Sequence, residues 1–178
     1  MSEKTQKHII TALVPNKSGV LTRISGLFAR RGYNIDSLSV CNTNNPELSR
    51  MTIVALGTDD EINQIVRQLD KLWDCHKIRI LKPSECVKRE LLLIKVKVPA
   101  SRRPEIESTA NMMKVKIIDV GASSVTCEMT GEPNKIDKFI ELMQPYGILE
   151  LARTGITALS RGEDVLDDLP DYNVALSG

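Results

Sequence analysis

The sequence predicts an α+β protein built from two tandem ferredoxin-like βαββαβ domains. Segments of strand and helix period follow the order β-α-β-β-α-β from residue 8 to 81. After a short polar linker, the same order begins again. The composition fits such a protein: 42 % of residues are apolar but only 3 % aromatic, so the core must be aliphatic.

The first domain reads element by element. HIITALV (8–14) is short, apolar and rich in β-branched residues, as a buried strand requires. Residues 19–31 have helical period, with Leu21, Ile24, Leu27 and Phe28 on one stripe. Ser18 is placed to cap this helix, and Gly32 suits the left-handed position just beyond it. Residues 34–43 and 48–57 read as strands joined by the hairpin TNNPE. In the helix 59–72, the residues Ile62, Ile65, Val66 and Leu69 share a face. CHKIRIL (75–81) closes the unit as a strand.

The second domain repeats the plan. VKRELLLIKVKV (87–98) is a strand whose later part alternates lysine with apolar residues. Arg103-Pro104 opens a helix carrying Ile106, Ala110 and Met113 on one face. Strands at 115–120 and 125–130 flank GASS, a helix spans 133–143, and a final strand spans 147–153. The expected division is a flexible N-terminus 1–7, a first domain 8–81, a linker 82–86, a second domain 87–162 and an acidic flexible tail 163–178.

Charge and motifs exclude several functions. Twenty-four Lys and Arg balance 23 Asp and Glu, for a net charge of +1, so there is no bulk attraction to nucleic acid or membrane. The strand 48–57 has no aromatic on either face, which removes the stacking platform of an RNA-binding sheet. Its apolar face must instead be covered, and self-association is the natural solution. No stretch approaches the roughly 20 apolar residues of a membrane span, and no secretory leader is present, so a cytoplasmic location is expected. The four cysteines form no CxxC and the two histidines no cluster, so no metal site and no disulfide framework are expected. No phosphate loop, nucleophile elbow or GxGxxG is found, and no catalytic residue is assigned.

The loop VPNKSGV (14–20) is the best candidate site. Free N–H groups at a helix start suit a carboxylate. Gly19 permits close approach, and the Asn16 amide oxygen suits an ammonium group. A zwitterionic amino acid would be matched at both ends. A plain turn explains the same residues, with Pro15 ending the strand, Ser18 capping and Gly19 turning. Asn34 can likewise be a simple helix-to-strand turn residue.

NKSGVLTRISGLFARRGYNIDSL followed by LSRMTI resembles the N-terminal ACT domain of the regulatory (small) subunits of acetohydroxyacid synthase, also called acetolactate synthase. RELLLIKVKV and LELARTGITALSRG resemble the second domain of the same family. The resemblance runs from about residue 8 to 162. It implies a subunit with no catalytic activity that binds and activates a catalytic (large) subunit carrying thiamine diphosphate, Mg²⁺ and FAD. It also implies feedback inhibition by a branched-chain amino acid: valine, or else leucine or isoleucine. ACT domains of two chains would pair as a homodimer with the effector at their interface. Carried over residue by residue, the effector site falls on Asn16 and Gly19 of one chain and Asn34 of the other, with Lys17, Ser18, Val20, Leu21 and Ile35 as neighbours. Pro15 and Met113-Lys114-Val115 depart from the family pattern, which bears on effector affinity and activation respectively. A free-standing amino-acid sensor and a small acyl phosphatase are the competing readings.

Overall fold

In the computed structural model, residues 5–72 and 75–168 are described, and they form two compact units. The first comprises residues up to Lys88 together with those from Ile156 onward; the second is Arg89–Gly155. Each unit carries an antiparallel sheet with helices on one face.

In the first unit, β1 (Gln6–Pro15), β2 (Ile35–Asn42), β3 (Leu48–Gly57) and β4 (Lys77–Leu81) are ordered β2-β3-β1-β4. Helices α1 (Val20–Arg30) and α2 (Asp59–Asp70) cover one face. Alternate residues Ile10, Ala12, Met51, Ile53 and Ala55 point into that core against Phe28, Ile62, Ile65 and Leu69. The helix ends follow local chemistry. Past Arg31, Gly32 turns left-handed at φ 72°, and Gly32 and Tyr33 return hydrogen bonds to Ala29 and Phe28, closing a Schellman motif. At α2, Thr58 and Glu61 cap each other's backbone N–H groups in a capping box.

The opposite face of this sheet carries an apolar patch as well, and the chain itself covers it. Residues 157–160 form a short strand, β9, absent from the sequence reading. It pairs with β5 (Cys86–Lys97), the strand through which the chain leaves this unit. Ala158, 1 % exposed, packs with Ile9, Val54, Leu81, Cys86 and Ile156 in a second small core. The Arg161 N–H bonds to the Glu85 carbonyl at 2.8 Å, and the Ser39 and Thr157 hydroxyls lie 3.2 Å apart. A single 3-10 turn at Leu166–Asp168 buries Leu166, and His76 Nε2 meets Asp167 Oδ1 at 2.8 Å. The expected tail from 163 thus has packed, hydrogen-bonded residues as far as 168; 169–178 lie outside the described residues, as do 1–4 of the expected flexible N-terminus.

The second unit contains β6 (Lys116–Val120), β7 (Ser124–Gly131) and β8 (Ile148–Arg153), ordered β6-β7-β5-β8. Helices α3 (Arg103–Met113) and α4 (Pro133–Met143) lie on the core face. Leu92, Ile94, Val96, Val125, Cys127 and Met129 pack against Ile106, Ile136 and Phe139. α3 ends at Lys114, which holds φ 57° without being glycine. Glu90 is buried, and Arg153 forks onto both its oxygens at 2.8 and 2.7 Å while also reaching Asp137. These carboxylates, Glu90 foremost, raise the Arg153 pKa above the usual arginine range and tie β5, β8 and α4 together. The other face of this sheet carries cross-strand ion pairs, Lys95 with Glu150 and Lys116 with Glu128.

The four cysteines are free thiols; Cys86 and Cys127 are buried, and burial, aided by Asp70, pushes Cys75 up to about 12.

Two outcomes follow. Thr58→Ala removes half of the capping box and should cost about 1 kcal/mol in urea unfolding. Ala158→Asp puts a charge into the small outer core, so the segment 156–168 should open more readily by about 2–4 kcal/mol. Hydrogen exchange would show this as faster amides in that segment, with β1 and β3 unchanged. Unchanged protection in 156–168 would mean that the segment does not depend on Ala158.

Candidate functional site

The β1–α1 loop is shaped by two anchors. The Asn16 N–H donates to the Glu47 carbonyl at 2.7 Å, and Asn16 Nδ2 donates to the Pro46 carbonyl at 3.1 Å. Both partners belong to the β2–β3 hairpin, whose turn is braced by Thr43 and Asn45. With its nitrogen engaged, the Asn16 amide has its oxygen free to accept from a ligand.

The helix start differs from expectation. Ser18 does not cap α1. The cap position is Gly19, in the left-handed conformation at φ 86°, and no side chain accepts from the first turn. The chain enters the helix through this left-handed residue, so Ser18 stands one residue too early to reach the N–H groups it was expected to satisfy. The first backbone bond runs from the Arg23 N–H to the Gly19 carbonyl at 3.1 Å. The preceding N–H groups therefore have no intrahelical acceptor, and they carry the positive end of the helix dipole. A Cβ built on Gly19 would meet nothing within 4 Å, so the space beside the helix start is open.

Asn16, Lys17, Ser18 and Gly19 are all exposed. Val20 turns inward to the core at 6 % exposure, whereas Leu21 is 46 % exposed and available as an apolar wall. Asn34 is exposed just before β2, and Ile35 is half-buried against the core, paired with Ala55. The structure thus gathers 16–21 at the β1–α1 loop and the first turn of α1 but does not bring Asn34 and Ile35 to them. They follow the far end of α1, whose 11 residues span about 16 Å. Within one chain the residues named from the sequence therefore form two separate groups.

Sequence reasoning missed the hairpin anchor of Asn16, because Pro46 and Glu47 are thirty residues away. It also missed a cavity on the outer face of the first sheet, beside Arg50. Among the described residues, no group of three or more His, Cys, Asp or Glu is arranged to hold a metal.

Known proteins match the chain across both units. The model of the acetolactate synthase small subunit matches residues 89–162, and that of the AHAS small subunit-like ACT domain matches 10–77. The chain is 50 % identical over 156 residues to a probable acetolactate synthase small subunit of Methanothermobacter thermautotrophicus, covering 87 % of this chain and 93 % of that protein. It is 44 % identical to the acetolactate synthase small subunit of Bacillus subtilis, covering 88 % of this chain and 91 % of that one. The crystal structure of the Thermotoga maritima small subunit superposes with a TM-score of 0.82 at 38 % identity, covering 89 % of this chain and 99 % of that one. Two βαββαβ units, the first with an ACT domain, and relatives matched over nearly their whole length place this chain in the acetolactate synthase small-subunit family.

Proposed function

We propose that the chain is a non-catalytic regulatory subunit of acetolactate synthase. It binds and activates the catalytic subunit and confers feedback inhibition by a branched-chain amino acid, with valine the first candidate. The chemistry, with thiamine diphosphate, Mg²⁺ and FAD, belongs to the catalytic subunit. The domain spanning 8–81 senses the effector, and the domain spanning 87–162 passes the signal on. Both act in the cytoplasm, and among the described residues no helix is long and apolar enough to cross a membrane.

The observation that carries this reading is the uncapped start of α1 beside Asn16. The effector's carboxylate lies at the free N–H groups past Gly19, and its ammonium group at the Asn16 amide oxygen. Leu21, largely exposed, takes the aliphatic side chain. Lys17 and Ser18 line the same loop. Because Asn34 and Ile35 lie at the other end of α1, the partner chain of a homodimer supplies them. Effector binding therefore tightens the dimer, and the dimer tightens effector binding.

Gly19→Ala and Gly19→Asp separate conformation from charge. Both carry the penalty of a left-handed β-carbon, about 1–2 kcal/mol in unfolding. Only aspartate adds a negative charge facing the effector carboxylate. Gly19→Asp should still activate the catalytic subunit while losing inhibition by valine, leucine and isoleucine, and calorimetry should show no uptake of the three. A folded, activating Gly19→Asp protein inhibited like the wild type would move the site elsewhere.

A further inference from the structure

We infer that the outer face of the first sheet holds a second ligand site, one for an aliphatic carboxylate, centred on Arg50. A cavity of about 520 Å³ opens between the β2–β3 hairpin and the 3-10 turn at Leu166–Asp168. That size suits a small molecule.

Arg50 lies on β3, directly across from Leu13 of β1 and Cys41 of β2. Its neighbour Met51 points into the main core at 1 % exposure, so Arg50 takes the opposite face and is half-buried there. Its Nε is sealed from solvent with no hydrogen-bond partner. Among the described residues, no carboxylate lies within ion-pair distance of its guanidinium. Desolvation, which dominates over the influence of Cys41, lowers its pKa below the usual arginine value. A half-buried cation without a counter-ion is a costly arrangement that an anion would relieve. Asp167 also lines the cavity, but its carboxylate is already held by His76 at 2.8 Å.

The rest of the lining defines the ligand. Leu13, Leu48 and Leu166 form an apolar wall, and Asn42 and Asn44 add amides. A guanidinium beside an aliphatic wall matches a carboxylate on a short branched hydrocarbon. Among the described residues, no carboxylate free of other partners lines the cavity to receive an ammonium group, which distinguishes this site from the loop at Asn16. The hairpin that borders the cavity also anchors Asn16, but Gly19 itself does not line the cavity.

Isovalerate, which has the hydrocarbon and the carboxylate but no ammonium group, is the probe. Calorimetry on the full chain should show its uptake by the wild type. Arg50→Gln should weaken it at least about tenfold, the size of a lost charge-assisted hydrogen bond. Arg50→Lys, which keeps the charge but not the fork, should fall between. Gly19→Asp should bind isovalerate as the wild type does, even if the amino-acid site is destroyed. Thermal melts would confirm that each variant is folded, and Arg50→Lys decides alone if the glutamine variant is not. Lack of uptake by the wild type at millimolar concentration would overturn the site. So would unchanged affinity in the folded Arg50 variants, or loss of affinity in Gly19→Asp. Inorganic phosphate competing as well as isovalerate would overturn the aliphatic assignment.

Discussion

The first sheet has apolar residues to bury on both faces, and its arrangement follows from the need to cover them. Helices α1 and α2 cover one face. On the other, Ile9, Val54 and Leu81 are buried by Ala158, Ile156 and Cys86. The chain must therefore come back after completing the second unit. That unit is joined to the first at both ends, through Lys88–Arg89 and through Gly155–Ile156. The outgoing and returning segments are themselves paired, β5 with β9. The regulation proposed above would have to pass between the units along these two connections.

Most of the fold was legible because the local signals agree with the final structure. Period-3.6 stripes gave α1, α2 and α4, and β-branched runs gave the strands. Gly32 ended α1 as expected because its left-handed backbone is a local property. What failed was non-local or close to a boundary. Strand β9 has only four residues, and its buried face is one alanine, too little for a periodic signal. The acidic composition from 163 concealed Leu166, whose burial depends on strands β1 and β4, far earlier in the chain. Self-association was expected to cover the apolar sheet, yet part of that area is covered within the same chain.

The candidate site divides in the same way. Asn16, Gly19 and Leu21 could be grouped from the sequence because they are contiguous, and the structure shows how their loop is held. Gly19, not Ser18, stands at the cap, so the first-turn N–H groups are more open than a serine cap would leave them. Asn34 could be connected to that loop only through the family resemblance, since its own surroundings explain it as a turn. Arg50 gave no signal at all. A lone arginine in an apolar strand acquires meaning only when Leu13, Cys41 and the returning turn at Leu166 meet around it.

The proposed regulation links an effector site on the first domain to a catalytic partner. Linkage is reciprocal, so the most direct measurement is valine affinity for this chain alone and for its complex with the catalytic subunit. Regulation through linked equilibria predicts that the two affinities differ, typically by about 5–150-fold. The same factor should separate the chain's affinity for the catalytic subunit with and without valine. Equal valine affinity in the free chain and in the complex would contradict regulation by this route.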